Sequence, residues 1–68
     1  MEYEFKKKLK ELRRENHLTQ KQLADLLDKS RTGIANWEQG LAEPSLNDIR
    51  KLCKIFDVSA DILLGLEE

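Results

Sequence analysis

The stretch TQKQLADLLDKSRTGIANWEQG, residues 19 to 40, decides the fold of this chain. Thr19 is followed three positions later by Gln22, so each side chain of the pair can bond the backbone amide of the other residue. This capping box predicts that a helix begins at Gln20. The apolar residues that follow are spaced for one face of a helix, and they are Leu23, Ala24 and Leu27.

A second short helix is predicted over residues 31 to 39. Ser30 is a favourable N-cap for it, and Gly40 stands where a left-handed C-cap would end it. Ile34 and Trp37, three residues apart, form its buried stripe. The opposite face carries Arg31, Thr32, Gly33 and Asn36. Two capped helices joined by a few polar residues are typical of a helix-turn-helix, here at about residues 19 to 40.

Three further helices are predicted around this pair. The first precedes it, with apolar residues at helical spacing at Phe5, Leu9 and Leu12. Ser45 and Asp48 form a second capping-box pattern, which predicts a fourth helix to about Phe56. Ser59 is a plausible N-cap for a short fifth helix that ends before Gly65. We therefore expect an all-α domain of five helices over residues 1 to 68.

These residues resemble the lambda-repressor/Cro-like helix-turn-helix family, also called the Xre family, over nearly the whole chain. The matching positions are Thr19, Gln20, Leu23, Ala24, Ser30, Ile34, Trp37, Glu38 and Gly40, followed by Pro44 and Ser45. The family usually has glycine near His17 and near Asp28, and this chain departs from it at both. Because His and Asp tolerate left-handed backbone better than most residues, we expect both turns to form at modest cost. The resemblance implies the compact lambda-repressor-like fold.

The resemblance also implies a sequence-specific regulator of transcription that binds double-stranded DNA. The recognition helix, residues 31 to 39, would enter the major groove, and the preceding helix would lie across the phosphate backbone. The residues expected to read bases are Arg31, Thr32 and Asn36. Arg31 can donate two hydrogen bonds to guanine, and Asn36 can pair with adenine. Repression by occluding a promoter is the expected mode, because the sequence suggests no activating domain.

Four residues are expected to contact the DNA backbone. The resemblance assigns phosphate contacts to Gln20 and Ser30, while Lys21 and Lys29 are added for their charge and location. Gly33 has two interpretations that the sequence leaves open. Its missing side chain lets the helix backbone approach DNA closely, or the glycine only weakens the helix by about 1 kcal/mol.

The resemblance further implies a structural salt bridge between Arg13 and Glu38, with a solvated Arg13 as the alternative. A homodimer on a near-palindromic operator is also implied, with half-sites about 34 to 36 Å apart. The apolar segment ILLGL, residues 62 to 66, exceeds what a short core helix needs, so Leu64 and Leu66 are candidates for a two-fold interface. A frayed C-terminus is the alternative there.

Composition limits the remaining functions. A chain of 68 residues forms one small domain, and its single cysteine, Cys53, allows no internal disulfide and is expected in the core. One histidine, His17, and one cysteine give no catalytic or metal-binding spacing, so we expect neither an enzyme nor a metal, cofactor or small-molecule site. No apolar run approaches a membrane span, and a cytoplasmic protein is expected. Trp37 is expected in the core rather than stacked on a base.

The net charge of −1 argues against indiscriminate binding to nucleic acid. Residues 1 to 15 carry six basic and four acidic side chains, whereas residues 44 to 68 carry three and five, so the acidic excess lies toward the C-terminus. Steep salt sensitivity with weak nonspecific affinity is expected. Besides a transcriptional regulator, two classes stay open: an antitoxin-like or scaffold module that binds protein, and an RNA binder, which would lack the usual aromatic platform.

Overall fold

The structure is a computed structural model, and it describes residues 4 to 66. It contains five helices: α1 (Phe5–Glu15), α2 (Gln20–Leu27), α3 (Arg31–Gln39), α4 (Leu46–Phe56) and α5 (Ala60–Leu63). No strand occurs in this part of the chain, so the prediction of an all-α fold with five helices is confirmed. The predicted domain limits at residues 1 and 68 lie outside the described residues.

Side-chain caps fix where four of the helices begin. In each case a hydroxyl accepts a hydrogen bond from the backbone amide three residues later, which satisfies one of the amides that a helix start leaves unpaired. The capping residues are Thr19, Ser30, Ser45 and Ser59. The predicted capping boxes at the starts of α2 and α4 are both complete.

Residues with left-handed backbone end the helices. His17 and Asp28 have φ of 57° and 59°, so the two turns without the family's glycine form as expected. Asp57 closes α4 in the same way, which the sequence analysis did not predict. Gly40 and Gly65 have φ of 78° and 76° after α3 and α5. The chain therefore reverses sharply after each helix, and this keeps the linkers short.

The core lies where α3 packs between α1 and α2, while α5 covers α1 and α4. Its residues are Phe5, Leu9, Leu12, Leu23, Ala24, Leu27, Ile34, Trp37, Leu52, Phe56 and Leu63. The rings of Phe5 and Trp37 meet edge to face with centroids 6.5 Å apart, so Trp37 is a core residue as expected. Cys53 is half-buried against this cluster, and burial raises the pKa of its thiol.

Residues 4 to 66 contain neither a membrane-spanning helix nor a cluster of metal-ligating side chains. No helix there has the length and apolar character needed to cross a bilayer. No group of three or more His, Cys, Asp or Glu side chains there is arranged to hold a metal ion.

Candidate nucleic-acid interface

The start of α3 projects polar side chains into solvent. Arg31 and Thr32 are exposed in its first turn, and Asn36 is half-buried one turn later. Thr32 and Asn36 are four residues apart, so they lie on the same face of the helix. The buried stripe of Ile34 and Trp37 fixes that face outward, away from the core. Thr32 and Asn36, two of the residues predicted to read bases, thus share the face of α3 that points away from the core, while Arg31 is exposed at the start of the helix.

Gln20, the first residue of α2, holds Arg31 in place. Arg31 Nη1 donates to Gln20 Oε1 at 3.1 Å. The amide of Gln20 in turn donates through Nε2 to Glu38 Oε1, also at 3.1 Å. Because both ends of the amide are engaged, Gln20 is oriented and so is the guanidinium that it holds.

Arg13 and Glu38 form a two-bond ion pair inside the domain. Arg13 Nε donates to Glu38 Oε2 at 2.6 Å, and Nη2 donates to Glu38 Oε1 at 3.1 Å. The remaining nitrogen, Nη1, donates to the carbonyl of Leu18 at 2.8 Å. The Glu38 side chain is only 3% exposed. Arg13 is therefore not a solvated surface residue, and the pair ties α1 to α3.

These contacts join into a continuous series of hydrogen bonds, which we call the polar relay: Arg13, Glu38, Gln20 and Arg31. It runs from the buried side of α1 to the exposed start of α3. The resemblance supplied the pair of Arg13 with Glu38, but the two bonds of Gln20 were missed. Arg31 and Glu38 lie two turns apart on α3, but Gln20 belongs to α2, so only the packing of α2 on α3 brings the three together.

Lys21 lies on the exposed surface of α2. Its Nζ is 3.4 Å from Asp25 Oδ1, one helical turn away, and both side chains are mostly in solvent. A pair of this kind contributes at most about 1 kcal/mol, so water and ions compete with it readily. The ammonium of Lys21 is thus accessible to an anion.

Lys29, in the turn between α2 and α3, is paired with a buried partner. Its Nζ lies 3.4 Å from Oδ1 of Asp48 on α4. Burial alone would raise the pKa of Asp48, but hydrogen bonds with Ser45 and the ammonium of Lys29 outweigh it and hold that pKa below the ordinary value of 3.8. Sequence reasoning missed this contact, because the capping box accounted for Asp48 without a further partner.

Gly33 is not required by packing inside the domain. A Cβ built at this position would meet only Ser30 Oγ, at 3.4 Å, which is ordinary van der Waals contact. The helix N-terminus around it is already capped by the same hydroxyl, which accepts from the Gly33 amide at 3.0 Å. The choice between close approach to DNA and a weakened helix therefore depends on what α3 binds.

The two candidate interface leucines differ in exposure. Leu64 is half-buried against the core, whereas Leu66 is 48% exposed. The Leu66 amide donates to Asp61 O and the Gly65 amide to Ile62 O, so a Schellman motif closes α5. Three other large apolar side chains are also exposed, and the sequence analysis did not predict them: Leu26, Leu41 and Leu46.

Comparisons with known proteins agree with this geometry. Residues 9 to 63 match a family described as Helix-turn-helix. The chain is 45% identical over 65 residues to the HTH-type transcriptional activator BcrR of Enterococcus faecalis, covering 96% of this chain and 32% of that protein. The chain thus spans about a third of the length of that relative, and about half the length of the other curated relatives that it matches.

Two solved structures share the fold. A transcriptional regulator from Listeria innocua superposes with a TM-score of 0.93 at 26% identity, covering all of this chain and 64% of that one. The restriction-modification controller protein C.AhdI from Aeromonas hydrophila superposes with a TM-score of 0.78 at 34% identity, covering 87% and 86% of the two chains. The curated relatives BcrR and ImmR are named an HTH-type transcriptional activator and an HTH-type transcriptional regulator. The chain belongs to the lambda-repressor/Cro-like, or Xre, family of helix-turn-helix transcriptional regulators.

Proposed function

We propose that this chain reads duplex DNA with the exposed start of α3 placed in the major groove. The observation that carries the proposal is the position of Arg31, which is exposed at the helix start and oriented there by Gln20. Family membership supplies the kind of ligand, a double-stranded DNA, and the relay supplies a preorganised group to read it. A regulator of this kind acts where the DNA is, and we propose the cytoplasm.

The residues divide into two proposed roles. Arg31, Thr32 and Asn36 read base edges: Thr32 and Asn36 share the outward face of α3, and Arg31 is exposed at its start. The bond to Gln20 uses one Arg31 nitrogen and leaves Nε and Nη2 to donate to guanine. The residues that contact backbone phosphates, and so position the protein on the duplex, are Gln20, Lys21, Lys29 and Ser30.

Selection from a library of random duplexes tests the proposal. The bound fraction should become enriched in a short sequence motif, because each good bidentate contact discriminates by about 1 to 3 kcal/mol. If the chain binds as a two-fold dimer, the motif should recur in inverted orientation about 10 base pairs away. Recovery of unselected sequences at every salt concentration would contradict base reading.

We further propose a homodimer held by Leu64 and Leu66 at the end of α5. One α3 reads only a few base pairs, and a second copy doubles the contacted sequence. The partly exposed Leu66 sits in a closed Schellman turn, which presents its side chain in one position. An interface between identical patches of this kind is self-complementary under two-fold symmetry.

Repression is the proposed sign of regulation. Occluding a promoter needs only occupancy of the groove, whereas activation needs a second surface that contacts the transcription machinery. BcrR is named an activator, and this chain spans 32% of it, so the sign is open to test. A reporter whose operator overlaps the promoter should lose expression when the chain is present. Increased expression from an operator placed upstream would instead support activation.

A protein-binding role for the same fold is the second candidate, and one observation favours it. Leu41 and Leu46, in and just after the loop between α3 and α4, are 72% and 84% exposed, and the DNA proposal does not use them. A module of the antitoxin or scaffold type would bury them against another protein. Failure of the duplex selection, together with loss of a partner when both leucines are replaced by serine, would favour this candidate.

A further inference from the structure

Both lysines proposed to contact phosphates are paired with an aspartate at the same distance. Lys21 Nζ and Asp25 Oδ1 lie 3.4 Å apart, and so do Lys29 Nζ and Asp48 Oδ1. The pairs differ in burial. Asp25 is 65% exposed and can separate from its lysine, whereas the Asp48 side chain is only 7% exposed.

Hydrogen bonds hold the Asp48 carboxylate where it is. Ser45 donates its backbone amide to Asp48 Oδ2 at 3.1 Å, and the Asp48 amide donates to Ser45 Oγ at 3.1 Å. The carboxylate therefore cannot swing out into water without breaking its half of the capping box and leaving the Ser45 amide without this acceptor. Lys29, by contrast, keeps 41% of its side chain exposed and can be reached from outside. The ammonium therefore faces a fixed negative charge on one side and solvent on the other.

We infer that Asp48 limits the affinity of this domain for the DNA backbone, because its buried carboxylate competes with a phosphate group for the ammonium of Lys29. This inference rests on the proposed function. A charge pair with one buried partner is screened less by water and salt than an exposed pair. A phosphate that approaches Lys29 thus meets a pair with no net charge, while one that approaches Lys21 meets a nearly independent cation. Asp48 therefore weakens the contact between Lys29 and a phosphate of the DNA backbone.

The test compares Asp48→Asn with Asp25→Asn in the full chain, using a fixed 20-base-pair duplex between 50 and 200 mM salt. The asparagine keeps an oxygen that can accept from the Ser45 amide, and it removes the charge. Asp48→Asn should tighten binding roughly five- to tenfold at 0.1 M salt and steepen the plot of log affinity against log salt by about one. Asp25→Asn, the matched control, should change affinity by less than about twofold.

A second background shows whether the effect passes through Lys29. In a Lys29→Gln chain, Asp48→Asn should alter affinity by less than about twofold, since the cation that it would release is gone. An equal gain in both backgrounds would overturn the inference, because any lost negative charge would then suffice. Unchanged or weaker binding by Asp48→Asn would overturn it as well.

Loss of the cap is controlled separately. Asp48→Gln repeats the Thr19 and Gln22 capping box of α2 at the start of α4, so it preserves a cap without the charge if Asp48→Asn folds poorly. Ser45→Ala removes the cap and keeps the charge, and it should not tighten binding. If Ser45→Ala tightens binding as much as Asp48→Asn, a change in the position of α4, and not the lost charge, explains the tighter binding. The inference is then wrong. If the unsubstituted chain shows no salt-dependent binding to duplex, the proposed function itself fails.

Discussion

Glu38 accepts hydrogen bonds from three nitrogen atoms on two other helices. Two come from Arg13 on α1 and one comes from Gln20 on α2. These donors compensate for the burial of a side chain that is only 3% exposed. The same residue therefore stabilises the domain and orients Gln20, which in turn orients Arg31. Glu38 thus contributes both to the stability of the domain and to the geometry of its proposed binding surface.

Removing Arg13 should cost more stability than its single charge suggests. Arg13→Met leaves Glu38 buried and without its cation, and the expected loss is about 3 kcal/mol or more in the free energy of unfolding. Urea denaturation followed by circular dichroism measures it. Arg14→Met, at an exposed position next along the helix, is the control and should change stability by less than about 0.5 kcal/mol. A similar loss in the free energy of unfolding for both variants would contradict the stabilising role assigned to the ion pair of Arg13 with Glu38.

The lowered pKa of Asp48 makes part of the stability depend on pH. A carboxyl group whose pKa is lower in the folded chain stabilises the fold above its unfolded pKa, and that stability is lost as pH falls through the folded pKa. We expect the free energy of unfolding to decline below about pH 4, and Asp48→Asn should flatten this decline. Urea denaturation from pH 7 down to pH 2 measures both chains. Parallel curves would contradict the assignment to Asp48.

The boundaries of the helices in this protein are set by the residues at their ends. Hydroxyl caps start four of the helices, and a residue with left-handed backbone follows each, so most of the boundaries could be predicted from local sequence. The left-handed backbone at Asp57 was not predicted, because Asp is compatible with many other conformations. Local chemistry therefore gave no signal at one helix start, that of α1, which has no side-chain cap, and at one helix end, that of α4.

The same substitution should have opposite effects at the two ends of α3. Gly33→Ala adds a methyl group that meets only Ser30 Oγ, at 3.4 Å, and should stabilise the fold by about 1 kcal/mol. Gly40→Ala puts a side chain at φ of 78° and against Lys6, 3.1 Å away, and should destabilise it by about 1 kcal/mol or more. Thermal denaturation of both variants measures the shifts. Destabilisation by Gly33→Ala would mean that the helix start is more crowded than the structure shows.

At the scale of the whole molecule, the periodicity and caps of the sequence predicted five helices, and the packing of α3 between α1 and α2 positions the candidate surface. Thr32 and Asn36 lie on the outward face of α3 because Ile34 and Trp37 must face the core. The contacts of Gln20 and the pair of Lys29 with Asp48 were not predictable, since they join helices whose relative placement no local pattern encodes. Long-range polar contacts therefore required the structure.

Assembly into a homodimer is tested through Leu66. Leu66→Glu should reduce the dimer population in sedimentation velocity at micromolar concentration, because a charge in an apolar two-fold interface meets its own copy. Leu46→Glu is the control, since Leu46 is even more exposed and is assigned no role in the interface. Loss of the dimer in the Leu46 variant alone would move the interface to the loop after α3. A strictly monomeric parent chain, with and without operator DNA, would remove the dimer proposal.

The most direct measurement compares base preference and salt dependence of duplex binding for the parent chain, Arg31→Ala and Lys21→Ala. We predict that Arg31→Ala relaxes preference at one base position per half-site, at a cost of about 1 to 3 kcal/mol for the best sequence. Lys21→Ala should weaken all sequences about equally and reduce the salt slope by about one. An Arg31→Ala chain that keeps the base preference of the parent would contradict the claim that the start of α3 reads DNA.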